Sequence, residues 1–318
     1  MITMEFAMNK FASLLIGMAL AFSAFQASVF AEEALDEKAM IQQLQAQAEE
    51  KEAKGNHASA AKLYHKVGKR QKEHKLKAQA YLKEADCLFA AGKTFAATKA
   101  YKELMKEYAL YVPFERVVGN MRKLAEDFVD GKGTLFGVRD KSEAIDTYFF
   151  ILTEAPSIAV SLSDRLRLAE LLVKEKRREE AVVVYQEILK LDPMLDDVRL
   201  EMALLLLDLC KNGDGDGSIR RAATRHAKII LEHNPDYKRR EELELILAET
   251  VEEEAARLLE LGRFYLRSVH FNPAASKKYL LDAVQKFPGT KAAWEAKNML
   301  ETDNRLRNVD AKAVEGAK

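Results

Sequence analysis

Six histidines, two cysteines and many carboxylates are the groups from which this chain could build chemistry. Imidazoles that share a metal converge, most simply at i, i+4 on one helix face beside an acidic neighbour. His57, His65, His74, His226, His233 and His270 do not take that spacing. His226 and His233 stand two helical turns apart, too far for one ion without a third element. Cys87 and Cys210 are too few for a four-thiolate zinc site or a disulfide framework. They read as buried thiols, and a bridge between them would need Cα atoms within about 7 Å. The paired carboxylates fall in solvated runs such as Glu252-Glu253-Glu254.

The phosphate and nucleophile motifs fail in the same way. GKGT at 131–134 lacks the upstream glycine and the Gly-Lys-Ser/Thr order of a phosphate loop. Neither G-x-S-x-G nor H-E-x-x-H occurs. KNGDGDGS at 211–218 imitates the opening of a calcium loop through Asn212, Asp214, Asp216 and Gly217. That loop needs a bidentate acid at its twelfth position, which here is Ala223. The segment therefore reads as an interhelical loop. The expectation is a chain with no catalytic, cofactor or metal site, and not an enzyme.

Composition narrows the alternatives. The chain has 318 residues, 48% hydrophobic and 31% charged, which suits a folded protein. Lys+Arg and Asp+Glu are equal at 50 each, without the basic excess that nucleic-acid binding requires. Six prolines and 14 glycines are too few for an all-β chain of many tight turns.

The first 31 residues are a separate matter. Residues 11–31, FASLLIGMALAFSAFQASVFA, carry no charge, follow Lys10, and end with small residues at Val29 and Ala31 before Glu32-Glu33. This is the order of a secretory signal, so 1–31 is expected to direct export, with the mature chain beginning near Glu32. An uncleaved anchor is the rival, since the uncharged run is long enough to span a bilayer. No cysteine stands near the cleavage site to carry a lipid.

From residue 36 the apolar residues recur at helical spacing. The same pattern then repeats along the chain. A small residue followed four later by tyrosine occurs at Ala60/Tyr64, Ala97/Tyr101, Ala144/Tyr148, Ala181/Tyr185 and Ala275/Tyr279, with a degenerate copy at Ala223/Ala227. The small residues are 37, 47, 37, 42 and 52 apart, a unit near 37 with insertions. Proline follows the tyrosine at Pro156, Pro193 and Pro288; Gly55 and Gly92 stand five before the alanine. Ala85, Ala169, Ala203 and Gly262 mark a preceding helix. Small side chains let two antiparallel helices approach, and the aromatic a turn later fills the gap to the next unit.

This pattern resembles the tetratricopeptide repeat, a helix–turn–helix unit that stacks into a solenoid. The expected fold is therefore an all-α tetratricopeptide-type solenoid. It would run over 32–304 in about six units, with insertions near 129–140, 211–218 and 236–256 and a disordered tail at 305–318. A solenoid grips ligands on the concave face lined by each first helix. Counted from the small-residue frame, Gln79, Leu82, Asp86 and Phe89 should face inward in the second unit. Leu166, Glu170 and Val173 should do so in the fourth, and Arg263 in the last. The inserted loop carries Leu135 and Phe136 as a further contact.

Two stretches are similar to the BamD family of outer-membrane protein assembly factors. LLELGRFYLRSVHFNPAASKKYLLDAVQKFPGTKAAWEAKNML (258–300) resembles that family's last repeat. YALYVPFERVVGNMRKLAEDFVDGKGTLFGVRDKSEAIDTYFFILTEAP (108–156) resembles members with an inserted Lys/Gly/Phe loop. The resemblance implies a periplasmic scaffold whose partners are other proteins or peptides, among them an outer-membrane β-barrel insertase. The best-known members of that family are lipoproteins; the lipobox cysteine is lacking here, so any membrane contact is expected to be indirect. The alternative is a periplasmic peptide- or peptidoglycan-linked adaptor that coordinates cell-envelope processes.

Overall fold

The computed structural model describes residues 35–132, 137–210 and 217–307. The expected signal segment, Leu135 and Phe136 of the inserted loop, most of the calcium-like stretch and the last eleven residues lie outside the described residues.

Every regular element among the described residues is helical. Helix α1 spans 35–53. It is followed by α2 (His57–Arg70), α3 (His74–Ala90), α4 (Thr94–Glu107), α5 (Phe114–Asp130), α6 (Lys141–Glu154) and α7 (Leu162–Lys174). Then come α8 (Arg178–Leu191), α9 (Asp196–Cys210), α10 (Ser218–His233), α11 (Arg240–Phe264), α12 (Pro273–Lys286) and α13 (Lys291–Thr302). The chain divides into two compact units, Met1–Leu171 and Leu172–Lys318, the division falling within α7. Inside each unit a helix packs mainly on its sequence neighbours, as α2 on α3, α3 on α4 and α11 on α12. That is the one-dimensional pattern of a repeat array.

The repeat frame has a physical origin at each second helix. Asn56, Asp140 and Asn272 cap α2, α6 and α12 by accepting a backbone N–H three residues on. Four residues after the cap comes the buried small side chain, and four after that the buried aromatic or aliphatic one. Ala60, Ala97, Ala144 and Ala181 are fully enclosed, and Tyr64, Tyr101, Tyr148 and Tyr185 are all buried. Ala223 and Ala227 are enclosed as well.

The last unit corrects the sequence reading by one residue. Ser276 and Leu280, both completely buried, take the place assigned to Ala275 and Tyr279. Counting four from the cap Asn272 gives Ser276 directly, and Pro288 then follows Leu280 by the same eight residues seen in earlier units. The serine hydroxyl donates to the Gly262 carbonyl at 2.8 Å. A Cβ on Gly262 would stand 2.6 Å from the Leu280 side chain, so the two helices meet backbone to side chain here. Tyr279 is only half-buried and stacks on Tyr265, ring centroids 5.7 Å apart.

Helix α11 accounts for the insertion expected near 236–256. Its 25 residues form one continuous helix. Leu243 and Ile246 of its first half pack with Leu200, Ala227, Ile230 and Tyr237. Ala255 and Leu259 of its second half pack with Leu280, Ala283 and Ala296. One rod thus closes one hairpin and opens the next. Leu306, 1% exposed, joins the second cluster, so the tail expected to be disordered from residue 305 is ordered through Arg307.

The turns inside the hairpins are equally regular. Gly55 and Gly92 adopt left-handed backbone at φ +73° and +65°. At each, the following N–H reaches five residues back, Asn56 to Lys51 and Lys93 to Leu88, which closes the preceding helix. Lys176 occupies the same place, five before Ala181, with the same bond from Arg177 to Leu172. It does so at φ +60° with a side chain that disfavours that conformation. Lys176→Gly should therefore stabilise the chain by about 1 kcal/mol, read as a higher urea midpoint at unchanged slope.

An ion pair ties α5 to α7 within the first unit. Asp164, 2% exposed, accepts from Arg122 Nε and Nη2 at 2.6 and 2.7 Å. It also reaches back to the N–H and hydroxyl of Ser161, a capping box at the start of α7. Burial alone would raise its pKa; the bonds from Arg122 and Ser161 outweigh that and hold the carboxyl below its ordinary value of 3.8. The resulting stability is complete above the ordinary aspartate range and is lost as pH falls through the depressed folded value. Asp164→Asn should cost about 2 kcal/mol at neutral pH and flatten the acid side of a stability–pH profile.

Candidate functional site

The first helices of the first unit share one exposed face. The buried alanines Ala48 of α1 and Ala85 of α3 each stand twelve residues before the alanine of the following helix, Ala60 and Ala97. Equivalent positions on the two helices therefore pair as Gln42 with Gln79, Gln45 with Leu82, and Glu49 with Asp86.

A cavity of about 330 Å³ opens on this face. Gln45 and Glu49 of α1, Tyr64 and Val67 of α2, and Gln71 form one side. Leu76, Gln79, Ala80, Leu82, Lys83 and Asp86 of α3, with Arg116 of α5, form the other. A second cavity of about 460 Å³ continues it toward the start of α1 and shares Gln45, Gln71 and Leu76. Together they make a groove along α1 and α3. Its floor offers apolar surface at Val67, Leu76 and Leu82, and its rims offer amides and both signs of charge.

The polar groups of the groove are held by the repeat itself. Asp86 accepts the Tyr101 hydroxyl at 2.6 Å and pairs with Arg116 at 3.2 Å. Asn120 donates to the same phenol oxygen at 3.0 Å. Burial first, and then the bond to Asp86, push the Tyr101 phenol far above its usual range, so it stays a donor. Glu52 plays the corresponding part in the first hairpin, accepting Tyr64 at 2.6 Å and Lys83 at 3.1 Å. Glu126 does so in the third, accepting Tyr148 at 2.7 Å and Arg167 at 2.6 and 2.9 Å. Gln45 donates to Glu49 at 3.0 Å. Gln79 is exposed and bonds to no described side chain, which leaves its amide for a ligand.

Of the residues expected to face inward, Gln79, Leu82 and Asp86 come together in the groove. Phe89 lies on the same helix, half-buried, outside the cavity lining. Leu166, Glu170 and Val173 form an exposed stripe on α7, with Glu170 paired to Arg167. Arg263 bridges Glu260 and Glu295 at 2.7 Å each, so its guanidinium braces α11 against α13. Leu135 and Phe136 lie outside the described residues. Gln45, Glu49, Leu76, Lys83 and Arg116 were not foreseen. The twelve-residue spacing from Ala48 to Ala60 would have carried the frame onto α1 and found the first two.

No group of three His, Cys, Asp or Glu among the described residues could hold a metal. Neither cysteine forms a disulfide; both are buried, and burial pushes the Cys87 thiol up to about 11. None of the described helices is long and apolar enough to cross a membrane.

With this geometry in hand, residues 79–110 match the tetratricopeptide repeat family. The match spans most of α3, its left-handed turn, α4 and the exit turn, the hairpin that supplies Gln79, Leu82 and Asp86. A solved structure that aligns with the chain is the C-terminal part of a TPR repeat-containing protein from Cytophaga hutchinsonii. It is 13% identical, covers 79% of this chain and 98% of that one, and has a TM-score of 0.23. Comparison with curated proteins finds no match. The described residues thus form an all-α array of helical hairpins, and one of these hairpins, α3 with α4, matches the tetratricopeptide repeat.

Because Tyr101 anchors Asp86, Tyr101→Phe should cost about 1 kcal/mol of stability by urea unfolding. Arg116→Ala removes a groove cation that is 55% exposed and should leave the unfolding midpoint within about 0.5 kcal/mol of its original value.

Proposed function

We propose that this chain is a periplasmic scaffold that holds an extended peptide segment of a partner protein in the groove along α1 and α3. The observation that carries the reading is the groove itself, apolar along its floor and lined by Gln45, Glu49, Gln79, Lys83, Asp86 and Arg116. An extended peptide presents backbone amides and alternating side chains, and such a lining meets both. The pre-set Asp86–Tyr101–Asn120 network lowers the ordering cost on binding. The tetratricopeptide match over α3 and α4 supports the same role.

The finer assignment is to outer-membrane β-barrel assembly in the manner of the BamD family, without catalysis. It rests on the resemblance at 108–156 and 258–300 and on the export signal expected at 1–31. In this reading the groove receives an unfolded barrel substrate or a segment of the insertase, and the membrane is reached through that partner.

A photoreactive residue at Gln79 tests both levels in intact cells, with Trp294, 68% exposed on α13, as the control position. Capture of an outer-membrane barrel protein from Gln79 and not from Trp294 is the expected outcome. A wall-associated or division partner would keep the groove and replace the assembly role with that of an envelope adaptor. Equal capture from both positions would end the groove reading.

A further inference from the structure

Helix α3 borders a second cavity on the side opposite the groove. Tyr81 and Glu84 point about half a helical turn away from Gln79, Leu82 and Asp86. With His65 of α2, Glu103 and Glu107 of α4, and Tyr108 they enclose a cavity of about 320 Å³.

Two features of its walls act on the same kind of ligand. The first is aromatic surface. Tyr81 and Tyr108 lie 5.7 Å apart at 44°, and His65 stands 5.9 Å from Tyr81. A Cβ on Gly68 would come within 2.6 Å of the Tyr81 ring, so that ring is seated directly on the backbone of α2. The second is negative charge in excess of its local partners. Glu84, with its side chain only 17% exposed, has His65 Nδ1 at 2.9 Å as its one ion-pair partner among the described residues, and that partner is charged only when protonated. Glu103 pairs with Lys99 at a distant 3.8 Å. Glu107 makes no ion pair with any described residue. Burial first, then the neighbouring Tyr108, Glu84 and Glu103, raise the Tyr81 phenol above its ordinary range, in keeping with a negative cavity. Burial first, and the charge of Glu103, raise the Glu84 carboxyl above its ordinary value, against the bond and charge of His65 and the charge of Lys69, which lower it.

We propose that this cavity binds an organic cation, the alkylammonium or guanidinium group of a lysine or arginine side chain or of a free amine. The rings of Tyr81 and Tyr108 line the cavity, and an aromatic ring attracts an organic cation through its quadrupole. Glu84 and Glu103 supply charge-assisted acceptors at the polar end. Anions are repelled by both features, and neutral groups gain from neither. No group of three His, Cys, Asp or Glu among the described residues, those of this cavity included, could hold a metal ion. The proposal stands apart from the groove, since it uses the other face of α3.

The test is a titration of the full chain followed by the Tyr81 and Tyr108 ring resonances. The probes are Nα-acetyl-arginine methylamide, agmatine as the free amine, and Nα-acetyl-citrulline methylamide as the neutral isostere. The two cations should give saturable shifts, and citrulline none. Preference for the blocked arginine identifies a peptide side chain as the natural source; preference for agmatine identifies a small amine. Glu84→Gln should weaken binding at least tenfold. Glu103 and Glu107 are exposed, so the E103Q/E107Q pair keeps the fold and should weaken it comparably. Shifts with citrulline equal to those with arginine, titrations unchanged in both variants, or no saturation with either cation would overturn the proposal.

Discussion

The structure depends on the close approach of paired helices at an enclosed small side chain. Where Ala60 packs in the cluster with Ala48, or Ser276 meets Gly262, the contact leaves no room for a larger residue on either rod. Helices set this close leave gaps one turn further along, and a large residue must fill each gap. In the first unit that residue is tyrosine, and its hydroxyl is carried into a buried setting where it must find an acceptor. Glu52, Asp86 and Glu126 are those acceptors, one on each of α1, α3 and α5. Packing thereby dictates where the carboxylates of the first helices stand.

This requirement links stability to binding. A carboxylate needed by a buried phenol has its other oxygen toward solvent, where it attracts cations such as Lys83, Arg116 and Arg167. The exposed face of the first helices becomes a row of fixed acids and mobile bases over apolar residues. The pairs made by Lys83 and Arg116, whose side chains are 52% and 55% exposed, contribute little to stability individually, so these two bases can exchange partners with a ligand at small cost, whereas Arg167 is held on both Glu126 oxygens. The acids cannot, because the tyrosines hold them. A groove built in this way keeps its acceptors in place and lets its donors adapt.

Much of this was legible in the residues. The helical class, the hairpin frame and the enclosed alanines follow from the Ala–Tyr spacing, and Gln79, Leu82 and Asp86 follow from that frame on α3. The last unit was misplaced by one because Ala275/Tyr279 imitates the pattern in adjacent positions, while the cap Asn272, which fixes the register, carries no hydrophobic signal. Arg263 follows from the same frame in the last unit, but spacing alone does not reveal that Glu260 and Glu295 hold its guanidinium. The cavity behind α3 was out of reach for a different reason. It joins α2, α3 and α4 through side chains from three separate stretches, and no one stretch shows an unusual pattern.

Helix α11 shows how the frame tolerates departures. Its first half completes the cluster around Leu200 and Tyr237, and its second half opens the hairpin with α12. A break between the two would expose backbone groups on both sides and require two further caps. The chain instead continues through Glu252-Glu253-Glu254, whose charges suit a solvated stretch of helix between two buried ones. Glu252 is then free to accept the N–H groups of Lys291 and Ala292 at 2.9 Å each, capping α13 from a distance in sequence. What looks like an insertion in the repeat spacing is therefore a strut that couples the two clusters of the second unit. Fraying at its centre would uncap α13 and loosen the packing of Ala292 and Ala296 at the same time, so these clusters are built to unfold together.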